Sequence, residues 1–568
     1  MLKIVQKFPF IGWFFIGMCI FSPFLGASHL FDWDEVNFAE SAREMIVSGD
    51  FLGVQINFKP FWEKPPLFIW LQALSFDFFG IFTQNAWVSM EFAARFPNAL
   101  IGAISLVVFY YIGKKEKNAR LGHWWAFSYL AAFTPHLYAS TGIIDPLFNL
   151  LIFLGVYQFW KVVRSGQLIV ESGKWKVENW ASVVLSGIFI GLGMLTKGPV
   201  ALLMWGLVWT VYVLWHKFSI PNFGKIFLAG IVSVLISCLI FTSWYALIAQ
   251  KYGIQIIKDF FDYQVRLMTT GDAGHGQPFY YHFVVLLIGC FPISIWAGAR
   301  LFNFKNVLKK GTGEIDFSFI MKILFWVTLI LFSIVKTKIV HYSSLCWIPL
   351  TYVSAEILAD WESGNWVWKK SYTFGLLLVG TIFGLVLTLV PIIGQFASVF
   401  SPYIKDAFVQ GNLQAPVYWS GFEKYLGILF LVGLWYLMLN KKQPKIQNVF
   451  RLMNLGIGVL VAYMAIVVPK IEGYTQAAPI DFYESKLGQK VYIETLGFKS
   501  YAHLLYFQKQ GPSPTAEALL NAKSLDRPCY FIMKVTEEDR LKYHPNLELL
   551  KEENGWLFYK KLGQRPSF

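Results

Sequence analysis

Apolar residues run along this chain in long blocks separated by short polar clusters. A helix needs about 20 mainly apolar residues to cross a bilayer. Such stretches recur at 9–30, 97–113, 121–139, 143–162, 180–196, 198–215, 226–248, 280–299, 318–335, 339–358, 371–394, 424–440 and 452–469. The pattern predicts thirteen crossings. A fourteenth apolar stretch, 66–82 (PLFIWLQALSFDFFGIF), is read as an interfacial helix along the outer surface. The basic residues decide this. With 66–82 outside the membrane, Lys114/Lys115/Lys117/Arg120, Lys161/Arg164/Lys174/Lys176, Arg300/Lys305/Lys309/Lys310 and Lys441/Lys442/Lys445/Arg451 all face the cytoplasm, as the positive-inside rule requires. If it crossed, those clusters would face outward. Lys3 and Lys7 precede the first run, which is too long for a signal-peptide core and has no small-x-small cleavage site. It reads as an uncleaved helix starting in the cytoplasm, and an odd number of crossings puts the C-terminus outside.

After Lys470 the pattern changes. Residues 490–496, 527–535 and 556–562 read as strands rich in β-branched and aromatic residues. Stretches 499–510 and 514–523 read as helices, with Pro514 in the first turn of the second. The expected organisation is a transmembrane domain over 1–470, including an outer loop at 31–96 with interfacial helices, and a soluble α/β domain over 471–568.

Composition narrows the class. Of 568 residues, 56% are hydrophobic and 15% charged, outside the soluble range in both directions. Disorder, a collagenous fibre and a disulfide-rich scaffold are excluded. The net charge of +14 does not indicate nucleic acid, because residues 471–568 hold 13 Lys and Arg against 12 Asp and Glu. The excess lies in the membrane part, mostly in clusters between apolar segments. Five dispersed cysteines form no CxxC pair, so neither a zinc knuckle nor a disulfide framework is indicated.

The remaining charges gather on the outer side. The first outer loop carries FDWDEVNFAESAREM (Phe31–Met45) and FWEKPP (Phe61–Pro66). Later outer ends carry TGIIDP (Thr141–Pro146), LTKGP (Leu195–Pro199), GDAGHGQPF (Gly271–Phe279) and KTKIVHY (Lys336–Tyr342). A transporter more often places ionisable groups at the bilayer midplane, whereas this arrangement suits an active site at the outer face. Each residue also has a plain structural reading. The loop fits a short amphipathic helix on the membrane, with Asp34 and Glu35 at its dipole-favoured start, where Asp34 would cap it. Glu63–Lys64 would be a self-paired surface couple, Asp145 a turn residue before Pro146, and Lys197 a snorkelling lysine.

In this order and on one side, the motifs resemble those of the bacterial lipid A aminoarabinose transferases. More broadly, they resemble the protein O-mannosyltransferase-related branch of the C-type glycosyltransferases. The similarity runs through residues 30–345, and the DE-x-x-(Y/F)-A-E-x-x-R-E-M loop with EKP is its most specific part. The resemblance implies an all-α polytopic membrane protein of GT-C fold with a C-terminal soluble α/β domain. It also implies transfer of a sugar from a polyprenyl-phosphate carrier on the periplasmic side of the bacterial inner membrane. The acceptor expected is lipid A or a related envelope glycolipid.

Carried over by position, Asp34 matches the principal carboxylate, with Glu35 beside it, and Asp145 the second acid. Lys64 and Arg43 suit the carrier phosphate, with Lys197, Lys336, Lys338 and Tyr342 in the same pocket. Glu63 and His275 occupy positions where the family binds a divalent metal. Typical members read KGKLPTY where this chain has KTKIVHY, so which Lys or His of that motif points inward stays open. No nucleotide cofactor is expected: the carrier-linked sugar is already activated, and no P-loop or Rossmann fingerprint stands out. Direct displacement with inversion is the expected course. Two alternatives stand beside this reading: a protein O-glycosyltransferase with the same donor type, and a non-catalytic lipid-linked-sugar flippase.

Overall fold

The computed structural model describes residues 7–83, 85–168, 177–218, 220–269, 276–304, 317–440, 445–541, 544 and 546–562. Helical structure lies in each of the thirteen stretches expected to cross. Among the described residues, seven helical stretches are long and apolar enough to span a bilayer by length and composition: Met90–Glu116, Asp145–Ser165, Trp180–Lys197, Phe223–Tyr252, Phe317–Ile334, Lys370–Gln395 and Lys445–Thr475. Pro9–Phe21, Val200–Trp215 and Lys424–Leu439 are shorter apolar helices. The chain is a multi-pass membrane protein. Burial separates centre from rim: 83% of the apolar window in Asp145–Ser165 is buried, against 28% in Phe223–Tyr252. The long helix therefore turns most of its Phe, Leu and Ile surface outward, while the helix beginning at Asp145 is enclosed by its neighbours.

Among the described residues, four expected spans are interrupted, 452–469 only near its end, at Val467 between Lys445–Ile466 and Val468–Thr475. Residues 121–139 divide into Ala119–Ala131 and Phe133–Tyr138 at Ala132, which is extended. Residues 280–299 divide into Tyr281–Gly289 and Ser294–Leu301, with Pro292 in the break. Proline has no N–H to donate and cannot sit inside an unbroken helix without loss. Residues 339–358 begin as a 3-10 turn, Val340–Cys346, before the α-helix Trp347–Glu362. The basic residues Lys174, Lys176, Lys305, Lys309, Lys310, Lys441 and Lys442 lie outside the described residues.

The first outer loop departs from its expected form. Its helix Asp34–Ser48 does not lie on a surface, because every residue from Glu35 to Met45 is buried, charged ones included. The amphipathic spacing is present, but the polar face is covered by protein rather than water. The helix ends at Gly49, whose φ of 70° is left-handed, a conformation that glycine adopts without a Cβ penalty. A two-residue hairpin follows, β1 (Gln55–Ile56) and β2 (Lys59–Pro60). Its turn residues Asn57 and Phe58 both have positive φ. The interfacial stretch forms the helix Leu67–Phe78.

At the other end, Val468–Thr475 and Ala477–Glu484 continue the helical structure beyond Lys470. The sheet that follows has the order β3 (Tyr492–Leu496), β4 (Cys529–Lys534), β6 (Trp556–Lys561), β5 (Leu547–Glu553). The β3–β4 pair is parallel and the others are antiparallel. Three of these strands fall where expected; β5 is additional. Its sequence LELLKEE is mostly exposed, as an edge strand tolerates, and carries no β-branched residue to mark it. The expected helix at 514–523 starts later, at Ala516. Thr515 caps it by accepting from the Ala518 N–H, so Pro514 lies just outside.

Candidate active site

Four of the expected site residues, Lys64, Asp145, Lys197 and Tyr342, meet where several helix ends converge. Asp145 is the first residue of its helix and is 2% exposed; its Oδ1 accepts a 2.7 Å bond from the Lys197 ammonium. Lys197 closes the helix Val177–Lys197. The next residue, Gly198, has φ +90°, and a Cβ there would stand 2.9 Å from the Phe260 ring. That turn aims Lys197 inward. Its ammonium lies 5.1 Å from the Tyr342 ring centroid and 5.7 Å from that of Phe148, so it is not snorkelling to the interface. Lys64, Asp145, Lys197, Tyr342 and Ser344 line one cavity of about 120 Å³. The rest of its wall is mainly apolar, with Phe148, Val200, Leu203, Leu331 and Phe332 among the lining residues.

Asp34 borders this group. It is the first helical residue, Trp33 holds the N-cap position, and no side-chain hydrogen bond caps the helix there. Capping therefore does not account for Asp34. His341 stands between the two acids, with Nε2 3.7 Å from Asp34 Oδ2 and 4.0 Å from Asp145 Oδ2. Among the described residues, Asp145 Oδ2 has no hydrogen-bond donor. His341 had no assigned role in the sequence reading, although the KTKIVHY departure left open which of its side chains turns inward.

Lys64 is placed by a chain of contacts that starts on the first-loop helix. The Glu44 carboxylate accepts from the N–H groups of Asn57 and Phe58 at 2.6 and 2.7 Å, fixing the β1–β2 turn. The strand then leads through Phe61 to Lys64, and Pro65 and Pro66 stiffen the entry to the interfacial helix. Burial pushes the Lys64 ammonium below the usual lysine range; Lys197 acts in the same sense, while Asp34, Glu63 and Asp145 oppose it.

The structure gives other expected residues different surroundings. Glu35 does not face the cavity. It is 4% exposed and forms a two-pronged pair with Arg95 at 2.8 and 2.9 Å. It also accepts from the N–H groups of Gly142 at 2.5 Å and Phe31 at 2.9 Å. Burial acts to raise this carboxyl, but the Arg95 charge and the donated hydrogen bonds outweigh it and leave it below the ordinary value. Arg95 further donates to the carbonyls of Leu25, Ser28 and His29. Asn98 donates to those of Thr141 and Ile143, both at 2.6 Å. The two loops that present Asp34 and Asp145 are thus fastened to one helix, Met90–Glu116.

Arg43 is likewise taken up elsewhere. It is fully buried, paired with both Glu40 oxygens at 2.7 Å, and donates to the Lys509 carbonyl at 2.7 Å. A guanidinium so enclosed is not presented to a carrier phosphate. Lys338 is buried and donates to the Val335 carbonyl, and Lys336 is exposed; neither lines the cavity. Glu63 is half-buried beside Lys64, and among the described residues it joins no group of three metal-ligating side chains. His275 lies outside the described residues. Arg95, Asn98 and His341 are the polar residues that sequence reasoning left without a function.

Comparison with known proteins places this geometry. Residues 13–254 match the family model for dolichyl-phosphate-mannose-protein mannosyltransferase. Over its whole length the chain superposes on the crystal structure of ArnT from Cupriavidus metallidurans bound to undecaprenyl phosphate. The TM-score is 0.73 at 16% identity, covering 99% of this chain and 100% of the other. Its fold is that of ArnT. The chain is also similar in sequence to undecaprenyl phosphate-alpha-4-amino-4-deoxy-L-arabinose arabinosyl transferases. That of Edwardsiella ictaluri is 26% identical over 61% of this chain and 59% of the relative. That of Photorhabdus laumondii is 24% identical over 80% and 73%. The chain thus spans less than two thirds of the Edwardsiella transferase.

Proposed function

We propose that this chain is an integral-membrane glycosyltransferase that moves a sugar from a polyprenyl-phosphate donor to lipid A or a related envelope glycolipid. The observation that carries this reading is a cavity whose lining divides between the charged Lys64, Asp145 and Lys197 and a mainly apolar remainder. A phosphate carrying a hydrocarbon tail has the same division. Lys64 and Lys197 bind the phosphate and stabilise the charge that develops as it leaves the sugar, in a site that admits little water. Asp34 takes the acceptor's proton if the nucleophile is a hydroxyl. If the nucleophile is an ionised phosphate, Asp34 orients the donor sugar. Asp145 holds the Lys197 ammonium in place, and His341 couples the two acids. Attack opposite the departing phosphate inverts the anomeric carbon.

A divalent metal held by Glu63 and His275 would supply further neutralisation of phosphate charge. The described residues offer only the Glu63 carboxylate for it. The positive-inside pattern supports placing the site and the C-terminal sheet on the periplasmic side of the inner membrane.

Mass spectrometry of intact lipid A from cells with and without the gene tests the acceptor. A species heavier by one sugar that disappears in the deletion is expected. The match to a protein mannosyltransferase family supports a second reading, with a protein acceptor. An unchanged lipid A profile, with a glycan lost from secreted proteins, would establish that reading instead.

Lys64 adds a pH signature. Phosphate binding needs the protonated amine, and burial lowers its proton affinity in the free protein. Donor affinity is therefore expected to fall on the alkaline side below the ordinary lysine value of about 10.4. Lys64→Arg should move that limb upward, since a guanidinium stays charged. Donor binding followed by fluorescence between neutral pH and pH 10 checks this, and identical profiles for the two proteins would count against the assignment.

A further inference from the structure

We propose a divalent-cation site, separate from the catalytic cavity, formed by His29 with Asp481 and Glu484. One ligand atom from each of these three side chains lies within 4.8 Å of the others, and they are the one such group among the described residues. Asp481 and Glu484 sit one turn apart on the helix Ala477–Glu484 and so share a face. His29 lies just before the first-loop helix, on a segment remote in sequence.

The imidazole is already fixed in orientation beside the two exposed carboxylates. Its Nδ1 is 3.1 Å from Glu472 Oε1, and Glu472 is 5% exposed. A carboxylate can only accept, so Nδ1 carries the proton and the lone pair is left on Nε2. This is the carboxylate–histidine relation that fixes tautomer and orientation behind metal-bound histidines. The Tyr506 ring meets the His29 ring edge-on at 5.3 Å and 86°, restraining its plane. Among the described residues, neither the Asp481 nor the Glu484 side chain has a hydrogen bond or ion pair. The nearby Lys551 is paired with Glu553. The group therefore keeps excess negative charge even if His29 is protonated.

One imidazole and two carboxylates suit Zn²⁺ better than Ca²⁺ or Mg²⁺, which favour all-oxygen shells. Bound there, the ion would pin the helix Ala477–Glu484 to the segment whose backbone Arg95 grips at the His29 carbonyl. Its effect would be to hold the outer C-terminal segment against the first loop.

The test uses the full-length protein in detergent, stripped with EDTA and then given Zn²⁺. Bound zinc is measured by plasma mass spectrometry and stability by thermal unfolding. The wild type should hold one equivalent more than Asp481→Asn/Glu484→Gln and rise in Tm by roughly 3 °C or more, a rise the variant lacks. His29→Gln should behave like the double variant and keeps the test open should that variant fold poorly. Glu63→Gln should retain the equivalent and the Tm rise, which separates this ion from one at the catalytic cavity. Equal zinc content and equal Tm response in the wild type, the double variant and His29→Gln would overturn the proposal.

Discussion

Asp34→Asn is expected to abolish sugar transfer while leaving a folded protein that still binds its donor. The loss expected is about 10²–10⁴-fold in turnover, the usual worth of a positioned acid or base. The structure explains why folding should survive. The Asp34 side chain is 31% exposed and caps no helix. Among the described residues, His341 Nε2 is the one basic group within 4 Å of its carboxylate, and at 3.7 Å it is too far for a direct hydrogen bond. Asparagine keeps the shape and removes only the charge, and the contacts proposed for the donor phosphate are those of Lys64 and Lys197. Transfer measured with purified protein and donor, beside thermal unfolding of the same sample, gives the two readouts. A fully active Asp34→Asn protein would remove Asp34 from the site.

Glu35→Gln should fail differently, although the two acids are adjacent. Glu35 and Arg95 form a buried pair, and removing one partner strands the other charge, typically at a cost of about 3–5 kcal/mol. The loss of stability should appear as a large fall in Tm for Glu35→Gln and for Arg95→Met. Activity should fall as the loops bearing Asp34 and Asp145 lose their common anchor. Replacing both residues, Glu35→Leu with Arg95→Met, should recover part of the Tm, because no unpaired charge remains. A Glu35→Gln protein of wild-type stability but without activity would return Glu35 to the chemistry.

The contrast between these neighbours shows what the sequence could and could not carry. Long apolar runs mark where helices lie because their length is set by the bilayer, and the acid- and lysine-bearing motifs sit at the ends of those runs. That was enough to bring Asp34, Lys64, Asp145, Lys197 and Tyr342 into one region. It was not enough to tell Asp34 from Glu35. Adjacent residues on a helix point about 100° apart, and which direction meets a cavity depends on partners such as Arg95 and Gly142, distant along the chain. Arg43 was misread for the same reason. Its charge and its place in a motif suggested phosphate, but its partners Glu40 and the Lys509 carbonyl enclose it. His341 emerged only when the 3-10 turn Val340–Cys346 set its ring between two carboxylates.

The grip of the last hundred residues on the first loop has a consequence for the order of events in biosynthesis. The Leu30 N–H is satisfied by the Tyr506 hydroxyl, 476 positions later, and Arg43 by the carbonyl of Lys509, 466 positions later. The Lys509 ammonium in turn reaches back to Asn57. Asp34 and Lys64 are made early, and Glu35, Glu40 and Glu44 find partners within the first 142 residues, but the Leu30 N–H, one Arg43 N–H and the Asn57 side chain wait for residues 506–509. A nascent protein would carry the first loop internally paired but without this outer clasp until residues 506–509 are made, so the loop would gain its last restraints late in synthesis.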